Sequence, residues 1–280
     1  MKRRFTQVDV FGSSALGGNP LAVVHDADEL SDDQMQAFAR WTNLSETTFL
    51  LKPTKPRADY RVRIFTATDE LPFAGHPTLG SAHAWLAAGG RPHSASRIVQ
   101  ECGVGLVDLR GSDGRLSFAA PPQRRSDPLS VEEIAVIEQA IGIGSDEWVA
   151  HAWGDNGPPW MMVQLADAAA VRGVVVKQEL LGPGQHLGLI GLEPEGSGHA
   201  YEVRGILREL EDPVTGSLNA AAAQWLRERD IVPASYLVRQ GTVIDRDGEI
   251  SVVDDGETLW IRATVSSVIS GDWRSYPTCI

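Results

Sequence analysis

Three side chains suited to proton chemistry stand in stretches that let a ligand come close. Glu46 lies in "NLSETTFL", His76 in "PFAGHPTLGSAHAWL" and Asp212 in "EDPVTGSLNAAAAQWL". Glu46 leads into an apolar run with Phe49, Leu50 and Leu51. A carboxylate there is expected to be partly desolvated, which would suit one acid to both taking and giving a proton. His76 stands at the start of a helix-like segment, a place that suits a neutral, hydrogen-bonding imidazole. Asp212 directly precedes a second such segment. Gly75 opens the first mouth, and Gly216 and Ser217 open the second. Glycine lets a ligand approach the backbone, and a helix N-terminus attracts an anion such as a carboxylate. The implied chemistry is proton transfer on a small carboxylate. Structural roles also account for these residues: an exposed strand-edge Glu, a satisfied His, a dipole-complementing Asp and ordinary capping turns.

The elements that would position them have an unusual composition. Residues 76–88 and 216–226 carry no charge and are rich in Gly, Ala and Ser. A surface helix shows one apolar stripe and one polar face; a helix with no charged face is buried on all sides. Strand-like segments flank both helices, so the expected wrapper is a curled, antiparallel-rich sheet that small side chains allow to close. The fold class expected is α+β, with two similar modules, each a helix inside a β-barrel. Modules meeting mouth to mouth would form one anion-friendly cleft.

The two halves support a duplication. Both helices follow Pro-x-x-Gly, at Pro72 and Pro213, and both end Trp-Leu, at Trp85 and Trp225, half the chain apart. "DGRLSF" from Asp113 and "DGEISV" from Asp247 are read as matching hairpins. The Pro-rich stretch "AAPPQRRSDPLS" reads as a linker and sets modules of 1–120 and 121–280, with a last strand free to cross back to the first. Strands are expected at 4–11, 19–24, 60–66, 97–109, 115–119, 147–153, 160–165, 173–176 and 186–192, and at "TTFLL" (47–51). Helices capped by Ser31 and Ser130 complete the pattern.

Bulk properties bound the function. The chain has 280 residues and a formal net charge of −12, which disfavours nucleic acid and anionic membrane as partners, since phosphate binding needs clustered Lys and Arg. No apolar run is long enough to span a membrane, and no secretory leader is evident, so a cytoplasmic protein is expected. Two cysteines, Cys102 and Cys279, make no disulfide framework and have no metal-ligand spacing. No Walker A loop, HExxH, dinucleotide fingerprint or nucleophile elbow occurs. Neither metal nor cofactor is expected.

The stretches "DVF", "GGNPLAVV", "NLSETTFL", "RIFTATDELPFAGHPTLGSAH", "EDPVTGSLNAAAAQWL" and "QGTVIDRDGEISV" together resemble the PhzF-like family, related in fold to diaminopimelate epimerase. The resemblance implies two pseudo-symmetric modules, no cofactor and a homodimer. It implies an isomerase that moves a proton within a dihydro-hydroxyanthranilate-like substrate. It gives catalytic roles to Glu46, His76 and Asp212, and substrate-carboxylate contacts to Ser45, Gly75, Gly216 and Ser217. Two-thiol epimerases and racemases of the same fold carry a thiol at each mouth; here the mouths carry Gly75-His76 and Gly216-Ser217. The alternatives are an epimerase with another base pair and a non-catalytic carboxylate binder. The sequence departs from the family pattern in a compressed "VRGILRELEDPVTGS", in Asn219 where many members carry His, and in "VIDRDG", which keeps Arg246.

Overall fold

A computed structural model describes residues 2–274. Cys279 lies outside the described residues. The chain divides into two compact units: residues 1–118 together with residue 263 onward, and residues 119–262.

In unit 1 the elements run β1 (Lys2–Val10), β2 (Asn19–Val24), α1 (Asp32–Thr42), β3 (Glu46–Leu51), β4 (Tyr60–Phe65), β5 (Glu70–Leu71), α2 (Gly75–Ala87), β6 (Ile98–Cys102), β7 (Gly105–Ser112) and β8 (Arg115–Ala119). β1 pairs antiparallel with β2, β2 parallel with β3, β3 antiparallel with β4, and β4 antiparallel with β5 and parallel with β6. β6, β7 and β8 form a meander.

Unit 2 repeats this plan pairing for pairing. A preceding helix, α3 (Val131–Ile141), is followed by β9 (Ala150–Asp155), β10 (Pro159–Gln164), α4 (Ala168–Gly173), β11 (His186–Leu192), β12 (Tyr201–Ile206), β13 (Glu211–Asp212), α5 (Gly216–Glu228), β14 (Ser235–Gln240), β15 (Gly248–Asp254) and β16 (Leu259–Ala263). β9 to β16 pair in the same order and with the same polarities as β1 to β8. The last strand, β17 (Val265–Arg274), lies antiparallel to β1 in unit 1. Among the described residues no helix is long and apolar enough to cross a membrane.

Strands with a helix on each face, such as β2, β3 and β11, are buried almost throughout, whereas β4 and β14 alternate buried with half-buried residues. In unit 1, α1 packs Met35, Phe38 and Ala39 onto Phe49 and Phe65 on the outer face. Its start is a capping box, with Ser31 and Gln34 each bonding the other's backbone N–H. The inner face holds α2, buried from Gly75 through Ala82 and again at Ala84. Gly80 explains the small-residue helix. A Cβ there would stand 2.5 Å from Leu21 Cδ2 and 3.0 Å from Val8 Cγ2, so the helix seats against β1 and β2 only because the side chain is missing. Unit 2 makes the same contact with the small residue on the other partner. Gly154, at the register position of Val8, faces Ala221 of α5, where a Cβ would come within 2.8 Å of the alanine methyl.

Four expectations need correction. The strand expected over 97–109 is two strands, β6 and β7, because Gly105 adopts a positive φ of 113° and the chain turns back. The segment 173–176 is the end of a short helix and its exit, started by the Asp167 side chain accepting from Ala170 N–H. Residues 124–127 are no free linker: Arg124 N–H donates to Asp155, and Asp127 accepts from Trp153 N–H, which ties the stretch to β9. "DGEISV" enters β15, the counterpart of β7, so it does not match "DGRLSF" of β8; the counterpart turn is Asp255-Gly256, between β15 and β16.

Candidate active site

The alternation of β3 aims Glu46. Phe49 faces α1 on the outer side, whereas Thr48 faces α2 and accepts a hydrogen bond from Ser81 over 2.9 Å. Side chains two apart share a face, so Glu46 points to the α2 side. There Oε2 of Glu46 stands 3.0 Å from Nδ1 of His76, the second residue of the helix. His76 is 4% exposed. The contact lacks hydrogen-bond alignment, and Glu46 Oε2 and His76 Nε2 are both buried without a hydrogen-bond partner. Orphaned buried polar atoms are uncommon, and a catalytic role is one physical reason for them. Ser45 is half-buried immediately before Glu46, and Gly75 is buried directly before His76.

The start of α2 is held without a side-chain cap; its N-cap is Ala74. The helix axis is fixed instead by a buried polar chain. Tyr60 donates to Gln100 over 2.9 Å, and Gln100 donates to Thr78 in the first turn over 3.0 Å. Gln100 was not singled out in the sequence, since a lone strand Gln gives no spacing signal.

In unit 2, Asp212 ends β13 opposite Gly205 of β12. The Thr215 hydroxyl donates to its Oδ2 over 2.7 Å. Gly216 and Ser217 are the first two residues of α5, whose N-cap Thr215 supplies no side-chain cap. Gln240, fully buried, organises this mouth. Its Oε1 accepts from Thr215 N–H at 3.0 Å and from Asn219 Nδ2 at 2.8 Å. Its Nε2 donates to Asp212 O at 3.0 Å and to Thr215 Oγ1 at 2.9 Å. Asn219 thereby serves as a structural bridge between the helix and β14. Ser217 is braced separately: Trp160 Nε1 donates to its hydroxyl at 3.1 Å, and Asn156 Nδ2 donates to its carbonyl at 2.9 Å.

Thus Glu46 and His76 meet in unit 1, and Asp212, Gly216 and Ser217 share one helix mouth in unit 2. Gln240, Trp160 and Asn156 escaped sequence reading, because each reaches its mouth from a strand or turn far away in sequence. Neither mouth carries a thiol; Cys102 ends β6, where burial raises its pKa.

Comparison with known proteins identifies the family and the fold. The family model for phenazine biosynthesis-like protein (PhzC-PhzF) matches residues 8–264. Antisense-enhancing sequence 1 of Schizosaccharomyces pombe is 38% identical over 260 residues, covering 86% of this chain and 87% of that protein. A trans-2,3-dihydro-3-hydroxyanthranilate isomerase of Pseudomonas aeruginosa is 37% identical over 170 residues, 60% of this chain and 59% of that one. The crystal structure of a Bacillus anthracis phenazine biosynthesis protein of the PhzF family shares the fold, with a TM-score of 0.83 at 22% identity over 98% of this chain and 100% of that one. The chain belongs to the phenazine biosynthesis-like protein family, and it is an isomerase.

Proposed function

We propose that this isomerase moves a proton within a small cyclic carboxylate of the dihydro-hydroxyanthranilate class, with Glu46 as the acid/base. Glu46 removes a C–H proton, the electron pair shifts through the adjacent double bond, and the same carboxyl returns the proton to another carbon of the molecule. His76 orients the substrate beside it. Asp212 assists at the second mouth, and Gly75, Gly216, Ser45 and Ser217 bind the substrate's polar groups. The reading is supported above all by the buried Glu46–His76 contact, in which Glu46 Oε2, facing the imidazole, and His76 Nε2, on the far side of the ring, have no hydrogen-bond partner. One shielded carboxyl can carry out both halves of the transfer, because a proton held away from water is kept for return.

The test is turnover of trans-2,3-dihydro-3-hydroxyanthranilate, the compound named for the Pseudomonas relative. Wild type should convert it. Glu46→Gln keeps shape and reach but cannot accept a proton, and should lose at least about 10²-fold in turnover. Wild-type turnover by Glu46→Gln would move the acid/base role to another residue. A homodimer in the cytoplasm is part of the same proposal, checked by light scattering in solution and by cell fractionation.

A further inference from the structure

Strand register makes His186 the counterpart of Glu46. Glu46 opens β3 opposite Leu21 of β2; His186 opens β11 opposite Trp160 of β10. On the outer face, Leu187 and Leu189 join the core under α3 and α4. On the inner face, a Cβ at Gly188 would meet Leu218 of α5 at 2.5 Å. By alternation His186 therefore lies on the α5 side, as Glu46 lies on the α2 side. Its ring stands 5.1 Å from that of Trp160 at 45°, and its Nδ1 is buried without a hydrogen-bond partner. Burial depresses its pKa, so the ring is a neutral neighbour of the indole near pH 7.

Trp160 is 2% exposed, and its single donor is spent on Ser217 Oγ. The fold plan does not require this tryptophan, since unit 1 places Leu21 at the same position. An indole N–H can only donate. It therefore takes a lone pair of the serine hydroxyl and turns the hydroxyl hydrogen away from itself. Ser217 sits in the first turn of an uncapped helix, whose backbone N–H groups favour an anion. A hydroxyl with one lone pair taken and its hydrogen turned away from the indole is free to donate there, and a donor at that place is complementary to a carboxylate.

We propose that Trp160, propped by His186, is a positioning residue that fixes the Ser217 hydroxyl as a donor to a substrate carboxylate at the mouth of α5. The proposal deepens the functional reading above and rests on it for the substrate class. It makes the two units chemically unequal: unit 1 carries the acid/base pair, and the corresponding positions of unit 2 carry an anion-holding device.

The experiment follows the Trp160 indole ¹H–¹⁵N resonance, assigned by its loss in Trp160→Phe, during titration with benzoate and with 3-hydroxyanthranilate. In wild type the resonance should shift saturably with at least one of them. Trp160→Phe keeps a packed ring but loses the donor, and should weaken binding about five- to tenfold, within the net range for an ordinary hydrogen bond. Ser217→Ala should weaken it similarly, and the double variant should be no weaker than Ser217→Ala alone, because one interaction is being removed twice. His186→Phe should bind as wild type and His186→Ala more weakly. An unmoved indole with both carboxylates, wild-type binding by Trp160→Phe, or fully additive losses would each overturn the proposal. The functional reading fails separately, through wild-type turnover by Glu46→Gln, an outcome that leaves the indole titration untouched.

Discussion

The Thr215 hydroxyl donates to Asp212 Oδ2 over 2.7 Å, across the turn that leads into α5. Gly205 of β12 makes room for it, since a Cβ there would stand 2.6 Å from Thr215 Oγ1. A fold that leaves out a side chain to admit a hydroxyl is committed to that bond. Thr215→Val keeps the shape and removes the donor. We expect kcat/KM to fall about tenfold or more, since a hydrogen bond to a charged group is worth about 1.5–3 kcal/mol, and the melting temperature to drop by several degrees, because the bond from Gln240 Nε2 is lost as well. Unchanged kinetics would remove Asp212 orientation from the mechanism.

Gln240 ties the same mouth together from β14 with four hydrogen bonds. Gln240→Leu leaves buried polar groups of Thr215, Asn219 and Asp212 without this partner. Each buried group left unsatisfied costs about 1–3 kcal/mol, so a loss of about 3 kcal/mol or more is expected. The check is urea unfolding, with a lowered midpoint at unchanged slope. A shift below about 1 kcal/mol would show that the mouth is held by other contacts.

Gly80→Ala tests how α2 is seated. In an exposed helix interior the change gains about 1 kcal/mol. Here the added methyl meets Leu21 and Val8, both with no exposed surface, and overpacking costs about 1–3 kcal/mol. Net destabilisation of about 1–2 kcal/mol is expected by denaturant titration. Leu21→Val withdraws the atom that clashes most, so the double variant should be more stable than the sum of the single changes allows. A stabilised Gly80→Ala protein would mean that the sheet yields around the helix.

The buried helices were legible because an absence of charge over more than ten residues has one physical explanation, enclosure. The paired Pro-x-x-Gly starts gave the repeat, and Glu46 and His76 could be picked out because both lie beside such a motif. The second-half hairpin was matched to the wrong strand because Asp-Gly occurs at two places there, Asp247 and Asp255, and only strand register separates them. Trp160 and Gln240 were illegible for another reason. A single buried Trp or Gln looks the same in sequence whether it packs or braces a site; its partner decides, and the partners lie 57 residues away for Trp160–Ser217 and 25 for Gln240–Thr215. The short helix at Ala168–Gly173 hides in a run whose apolar residues fit strand or helix alike, and the Asp167 cap decides it.

The pH dependence of stability has a traceable source in His25. It is 5% exposed, and its Nε2 stands 3.0 Å from the Thr6 hydroxyl. Burial, reinforced by nearby Arg4 and opposed by Asp26, lowers its pKa from 6.5 to about 4. Above pH 6.5 the ring is neutral in both the folded and unfolded chain, and pH has no effect through this residue. As pH falls through 6.5 the unfolded chain takes up a proton that the folded chain refuses until about pH 4. Stability is therefore lost across that window and levels off below it, with an upper limit on the order of 3 kcal/mol. His25→Gln keeps a hydrogen-bonding group for Thr6 and cannot titrate. Urea midpoints of wild type and His25→Gln, measured from pH 7.5 to pH 4, should show wild type losing more stability than the variant as pH falls. Parallel curves would mean that the acid sensitivity of this fold arises elsewhere, with His83 and His186, both depressed by burial, as the next residues to replace.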